Sequence, residues 1–258
     1  MTLRHTQNTD DNGALPRIER VRHEIKRRRL EVRFVETITP NMIRITLGGD
    51  ELAGFNSLSA GDHIKIFVPD RAGKIVMRDY TPRSYDPENQ TLVLDFAVHE
   101  AGPATQWAIN ARPGNQLEIG GPRGSELISG PIRAWLLIGD ETALPSIGRR
   151  IEEMALGTPV TTLVAVAGPH DEQRFETLAL LSPYWIHRDD ATDASVIINR
   201  LREITIEPGT FIWLAAEGSV ARATRAYLVD ERKHPLTWLR ASGYWVKGKA
   251  DSTEKFDT

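Results

Sequence analysis

Trp135-Leu136-Leu137-Ile138-Gly139-Asp140-Glu141-Thr142-Ala143-Leu144-Pro145 joins a short apolar run to a segment of helical period through a loop that opens on glycine. An apolar run of this length, bounded by a turn signal and followed by a helix, reads as a buried strand feeding a crossover. The rhythm then repeats. Strand-like runs at 135–138, 161–166, 184–187 and 211–215 alternate with helical patterns at 146–156, 194–204 and 220–233, which predicts a parallel sheet with helical crossovers. In the last helix Val220, Ala223 and Tyr227 fall three and four apart with Leu228 beside them, a stripe that must be buried against the sheet.

Upstream the period changes to that of strands. Segments 30–35, 42–47, 63–68, 78–81, 91–99 and 116–119 are β-branched or alternating, and Gly48-Gly49, Pro87 to Asn89 and Pro113-Gly114 separate them. Six short strands at this spacing predict a six-stranded antiparallel barrel. A chain of 258 residues suits two domains. The expected division is a disordered leader over 1–16, a β-barrel domain over 17–130, an α/β domain over 131–248 and a disordered tail over 249–258, with the boundary at Gly130-Pro131.

Composition narrows the function. Net charge is −3, too little basic surplus for general binding to nucleic acid or an anionic membrane. The absence of cysteine removes disulfides, thiolate nucleophiles and cysteine-ligated Fe–S clusters together, so redox chemistry requires a bound organic cofactor or another metal. Met1 to Pro16 has no apolar core of about 7 to 15 residues, and no apolar run reaches about 18, so a cytoplasmic location is expected. The basic stretch over 17–33 carries Arg17, Arg20, Arg22, Lys26, Arg27, Arg28, Arg29 and Arg33 without interleaved aromatics, and reads as a solvated strand. No metal-ligand spacing joins the histidines, and no metal site is expected.

Two segments carry ligand chemistry. In Arg78-Asp79-Tyr80-Thr81-Pro82, Arg78 and Tyr80 share one face of a strand. An arginine fork suits a diphosphate and a tyrosine ring suits a planar heterocycle, although an ordinary strand with an exposed arginine shows the same residues. In the second, Leu92, Leu94, Phe96 and Val98 make an apolar face, leaving Asp95 and His99 about 13 Å apart on the other. Gly102-Pro103-Ala104 then opens a helix whose free N–H groups attract phosphate. A surface role for His99 and a core role for Trp107 are the alternatives.

Arg-Asp-Tyr-Thr-Pro from Arg78, Asp-Phe-Ala-Val-His from Asp95, Gly102-Pro103-Ala104 with Trp107-Ala108, Gly121-Pro122-Arg123-Gly124-Ser125 and Gly139 to Pro145 together resemble the siderophore-interacting protein family, a branch of the ferredoxin–NADP reductase superfamily. The resemblance covers about 28–248 and implies an FAD-binding barrel followed by a nicotinamide-binding α/β domain. It implies that Arg78 meets the FAD diphosphate, that Tyr80 packs on the isoalloxazine, and that Thr81 lies near flavin N5. Asp95 and His99 would contact the nucleotide part, with Gly102, Pro103 and Ala104 beside the phosphates and Asp79 and Trp107 in the same wall.

The chain has no Gly-x-Gly-x-x-Gly turn, so the nicotinamide expectation rests on Asp140, Glu141, Thr142 and Ala143, in a loop at the carboxyl end of a parallel strand, with Glu217 in a second such loop. A plain βα turn capped by Thr142 is the alternative. Arg149, Arg150, Arg222 or Arg225 would recognise a 2′-phosphate, or simply be solvated. The implied activity is reduction of siderophore-bound Fe(III) by NADPH or NADH through FAD, with no catalytic side chain required because the flavin carries the chemistry. Lys65, Arg123 and Arg240, in segments the resemblance places near the flavin, are the cations expected to meet an anionic ferric siderophore. Two other readings stay open: a reductase exchanging electrons with a protein partner such as ferredoxin, and a non-catalytic binder of ferric chelates.

Overall fold

The computed structural model describes residues 14–98, 102–249 and 252–256, so His99 and most of the expected leader lie outside the described residues. After β1 (Arg17–Arg22), strands β2 (Arg27–Thr39), β3 (Met42–Gly48), β4 (Ile64–Pro69), β5 (Ile75–Tyr80), β6 (Ser84–Asp86) and β7 (Thr91–Ala97) lead to helix α1 (Pro103–Asn110). Strands β8 (Gln116–Gly120) and β9 (Gly124–Ser129) follow. Seven strands form one antiparallel sheet in the order β5-β4-β8-β2-β3-β7-β6, and β1 pairs with β9 as a separate ribbon. The expected count of six is therefore corrected to seven. The added strand, β6, is three residues long, too short to show a period, and is held by its pairing with β7 from Ser84↔Val93 to Asp86↔Thr91.

Alternation places the core. Leu92, Leu94 and Phe96 of β7 are fully buried, as are Leu30 and Val32 of β2, Ile45 and Leu47 of β3, and Ile66 and Val68 of β4. Each such side chain contributes about 1.5–3 kcal/mol of burial, and the sheet curls around this one cluster with Ala104 and Ala108 of α1 closing it.

The C-terminal half runs β10 (Ala134–Asp140), α2 (Leu144–Glu152), β11 (Pro159–Val166), β12 (Leu180–His187), α3 (Ser195–Glu203), β13 (Thr210–Glu217), α4 (Gly218–Ala226), β14 (Leu239–Trp245) and β15 (Glu254–Lys255). The sheet order is β12-β11-β10-β13-β14-β15, parallel throughout except for β15. Every residue of β13 is buried, which is why its sequence is continuously apolar rather than alternating. The buried stripe of α4 and the π-helical turn after it is Val220, Ala221, Thr224, Tyr227 and Leu228.

The tail is a second correction. The segment expected to be disordered contains β15, which pairs with β14 through Ser242↔Lys255 and Gly243↔Glu254. Side-chain docking holds it rather than local propensity: Glu254 pairs with Arg222 of α4, and Phe256 packs against the apolar cluster beneath α4. Helix α2 lies at the seam of the two halves, where Ile38, Met42 and Ala97 pack with Leu144 and Ile147.

Candidate functional site

In the sheet order, β10 and β13 are neighbours from which the chain departs in opposite directions, a topological switch point, and such sheets bind ligands at the carboxyl ends of these strands. The two ends are Asp140 and Glu217. Asp140 is buried, and its carboxylate accepts bonds from Thr142 N (2.9 Å), Thr142 Oγ1 (2.6 Å), Glu217 N (2.8 Å) and Trp245 Nε1 (3.0 Å). It thus ties the ends of β10, β13 and β14 together. Glu217 caps α4 by accepting from Ser219 N at 2.6 Å and Val220 N at 3.2 Å, and also receives Lys247 N at 3.2 Å. Burial opposes its ionisation, but these bonds outweigh it and hold the carboxyl below its ordinary range. At Gly139 an added Cβ would meet Ala143 Cβ at 2.7 Å and Ala215 O at 2.9 Å, so α2 can approach β10 and β13 this closely only over a glycine.

A cleft of about 1680 Å³ opens in front of these ends and runs along the seam to β5 and α1. A pocket for one small ligand is about 300–1,000 Å³, so the cleft has room for more than one. Its N-terminal wall holds Arg78, Asp79, Tyr80 and Thr81, and then Gly102, Pro103, Ala104 and Thr105. The Arg78 guanidinium bonds only the Met77 carbonyl, at 2.6 Å, and has no acidic partner among the described residues. Asp79 Oδ1 is buried without a hydrogen-bond partner while its Oδ2 takes Lys65 at 2.9 Å. Helix α1 opens at Gly102 with no side-chain cap and Pro103 in its first turn, leaving backbone N–H groups for an anion. The Tyr80 ring packs 4.4 Å from Phe96, and burial pushes its phenol above the ordinary value. An unpaired arginine fork, an orphaned carboxylate oxygen, an aromatic face and an uncapped helix start suit a dinucleotide with diphosphate, polyol and planar ring, so these residues fit FAD.

Other expected residues are placed differently. Asp95 lines the cleft with its carboxylate already engaged by Arg44 through two bonds of 2.7 and 2.8 Å and with Arg83 3.7 Å away. Trp107 packs in the first core, 5.7 Å from Phe96, away from the cleft. Ala143 is fully buried in the apolar cluster at the seam. Asp140 and Glu217 spend their carboxylates on backbone N–H groups, nearby hydroxyls and Trp245, so they shape the loops at the ends of β10 and β13. Glu141 and Thr142 line the cleft. Arg123 and Arg240 line it as well, Arg240 paired to Glu126 at 2.8 Å and Arg123 exposed with no ion pair among the described residues, whereas Lys65 stands behind the wall on Asp79.

Arg188 and the Ser146 hydroxyl were not foreseen, whereas Arg149, Arg150 and Arg222 were candidates for a 2′-phosphate. Arg188, at the carboxyl end of β12, pairs with Glu141 at 2.8 Å, and its position after the strand 184–187 was the available signal. Ser146 Oγ bridges Thr81 Oγ1 (3.1 Å) and Tyr244 Oη (3.3 Å), a hydroxyl chain across the seam that joins positions 65 and 98 residues apart. Arg150 stacks over Trp135 and Trp213, at 5.0 and 5.7 Å, with its buried Nε unpartnered. Arg222 is engaged by Glu254, and Arg149 by Ser57 and Pro82 of the opposite half.

An antiparallel sheet with an FAD-fitting wall, a parallel sheet with a switch point and a cleft along their seam are the architecture of a two-domain flavoprotein. The siderophore-interacting FAD-binding domain matches residues 31–76 and 69–126, and the siderophore-interacting protein family matches residues 132–248. The chain is 32% identical over 250 residues to the NADPH-dependent ferric-chelate reductase of Escherichia coli K12, covering 88% of this chain and 96% of that one. It is 28% identical over 237 residues to the ferric vibriobactin reductase of Vibrio cholerae, covering 82% and 86%. The crystal structure of a siderophore utilization protein from T. fusca superposes with a TM-score of 0.85 at 30% identity, covering 92% of this chain and 98% of that one. The chain belongs to the siderophore-interacting protein family, and FAD is the cofactor of its N-terminal domain. No helix of the described residues is long and apolar enough to cross a membrane.

Proposed function

We propose that the protein passes electrons from NADPH through FAD to Fe(III) held in a siderophore, in the cytoplasm, and so frees the iron as Fe(II). The observation that carries this reading is the single cleft in which the Arg78–Thr81 wall, the Glu141–Thr142 loop and the exposed Arg123 all meet. Bound there, FAD supplies the change from two-electron hydride chemistry to single electrons. The chain supplies placement. Arg78 and the start of α1 hold phosphate, Tyr80 offers a ring face, and Glu141 and Thr142 border the space next to Thr81 where a nicotinamide would lie. Reduction lowers the affinity of hard oxygen donors for the metal, so no side-chain acid or base is required.

The test is anaerobic mixing of the yellow protein with NADPH and NADH, followed by ferric chelates. Bleaching by NADPH at least as fast as by NADH, then recovery of colour on adding chelate, is expected. Bleaching by reduced ferredoxin but by neither nucleotide would assign a protein partner instead.

Charge gives a second expectation. Arg123 and Arg240 face the cleft while Lys65 is spent on Asp79, so the first two are the sharper pair to neutralise. The rate of reduction per unit concentration is expected to fall with added salt for anionic chelates and to stay level for neutral ones, since screening acts only on the charged encounter. Arg123→Gln with Arg240→Gln should flatten that salt dependence. An unchanged slope in the double variant removes these two from the substrate surface.

The nicotinamide loop adds a pH dependence. Burial and the neighbouring Asp140 push the Glu141 carboxyl up to about 7 against the pull of Arg188. Below that pH the group is neutral; above it, its negative charge repels the phosphates of the nucleotide. The Michaelis constant for NADPH is therefore expected to rise between about pH 6 and pH 8, and Glu141→Gln to remove the rise. A profile identical in both proteins would show that Glu141 does not face the nucleotide.

A further inference from the structure

Two arginines cross the seam in opposite directions beside Thr81 and Ser146. Arg83, which follows Thr81-Pro82 and is anchored through its backbone N–H to Val93 O (2.9 Å), reaches α2 with two bonds of 2.6 Å to the Glu152 carboxylate. Arg149 of α2 reaches back, donating to Ser57 Oγ (2.8 Å), Ser57 O (2.9 Å) and Pro82 O (3.0 Å), while Glu153 fixes its Nε at 2.6 Å. Both side chains are buried, and Thr81 and Ser146, two and three residues before them in the chain, are in contact. The helix makes way for one of them: a Cβ at Gly148 would meet Arg83 Nη2 at 3.0 Å and the Phe175 ring at 2.7 Å.

Adhesion of the two halves does not need these charges, because Ile38, Met42 and Ala97 already pack on Leu144 and Ile147 and Asn41 holds Asp171 at 2.8 Å. A buried ion pair adds little stability over a well-packed apolar substitute, but a two-pronged arginine fork fixes distance and angle together. What the fork fixes here is Pro82, the neighbour of Thr81, against the helix that carries Ser146.

We propose that Arg83 and Arg149 form a reciprocal clamp of positioning residues that sets the spacing between the flavin-side strand end and the nicotinamide-side helix during hydride transfer. The proposal rests on the NADPH–FAD reading above. Neither arginine lines the cleft; both act through Pro82 and α2.

The experiment uses the FAD-loaded protein with Glu152→Gln, Arg83→Lys and Arg149→Lys. The limiting rate of flavin bleaching at saturating NADPH is expected to fall about 10–100-fold, as for a misplacement near 1 Å, while the NADPH dissociation constant changes by less than about threefold. A second readout needs no turnover. The chain has no cysteine, so Ile75→Cys and Leu156→Cys, 58% and 80% exposed on opposite sides of the seam, accept a pair of spin labels. Their distance distribution is expected to broaden in each clamp variant. An undiminished limiting rate with an unbroadened distribution overturns the clamp, and so does a rate that falls only in proportion to FAD content. If Arg83→Lys does not accumulate as folded protein, Glu152→Gln decides, because that carboxylate sits at the solvent side of the seam with 32% of its side chain exposed. Absence of bleaching in the unsubstituted protein would count against the NADPH reading alone, and the label distances would then decide the clamp.

Discussion

Asp140→Ala is expected to abolish bleaching of the flavin by NADPH and to lower the thermal unfolding midpoint. The carboxylate receives four donors, and two of them, Glu217 N–H and Trp245 Nε1–H, come from strands 77 and 105 residues away. Left without an acceptor in the interior, the Glu217 N–H alone costs about 1–3 kcal/mol against a total stability of about 5–15 kcal/mol, and the hold on Trp245 at the cleft is lost as well. The damage is also geometric, because the Thr142 turn and the bulge between Ala216 and Glu217 lose their common anchor at the switch point. Asp140→Asn keeps an acceptor but cannot serve all four donors, so an intermediate loss is expected. Thermal unfolding and stopped-flow bleaching measure the two effects, and a variant that keeps both the midpoint and the bleaching rate would show that the loop holds its shape by other means.

Arg78→Ala is expected to weaken FAD binding by roughly 10–150-fold, equivalent to about 1.5–3 kcal/mol for a charge-assisted bond to a diphosphate. Its guanidinium is on the cleft wall with only a carbonyl for company, so its removal breaks no ion pair among the described residues and should leave the barrel intact. Equilibrium ultrafiltration of free FAD reads the dissociation constant directly. Retention of FAD at the original affinity would move the diphosphate to another part of the wall.

The alternation of Leu92, Leu94 and Phe96 and the continuous run of β13 made both sheets legible from the chain, because burial on one face or on two leaves a period that needs no partner to be read. What escaped were elements held by distant partners. Strand β14 runs Leu239-Arg240-Ala241-Ser242-Gly243-Tyr244-Trp245 and carries too many polar and small residues for a buried strand, yet β13 beside it supplies the ladder. Strands β6 and β15 are shorter than any period. In the site, Arg78, Tyr80 and Gly102 line the cleft, and spacing alone told only that Arg78 and Tyr80 share a strand face. Asp140 and Glu217 are acidic residues in a ligand-type loop, and nothing nearby in sequence tells that their oxygens turn back to Trp245 and Lys247. Arg83 and Arg149 were invisible as partners of the seam for the same reason: a solvated arginine and an interface arginine look alike until the opposite half is in place.

The return of residues 252–256 along β14 bears on how the protein should be produced. Residues Ser252 to Phe256 form part of the cleft rim, with Glu254 over Gly218 and Gly243 and Phe256 tucked beneath α4. A substitution that frees Glu254 or Phe256 would loosen this strand from the edge of β14 and so reshape the rim of the cleft. Deleting Ser252 to Phe256 would remove that wall outright, so preparations differing only in this segment need not be interchangeable in their kinetics.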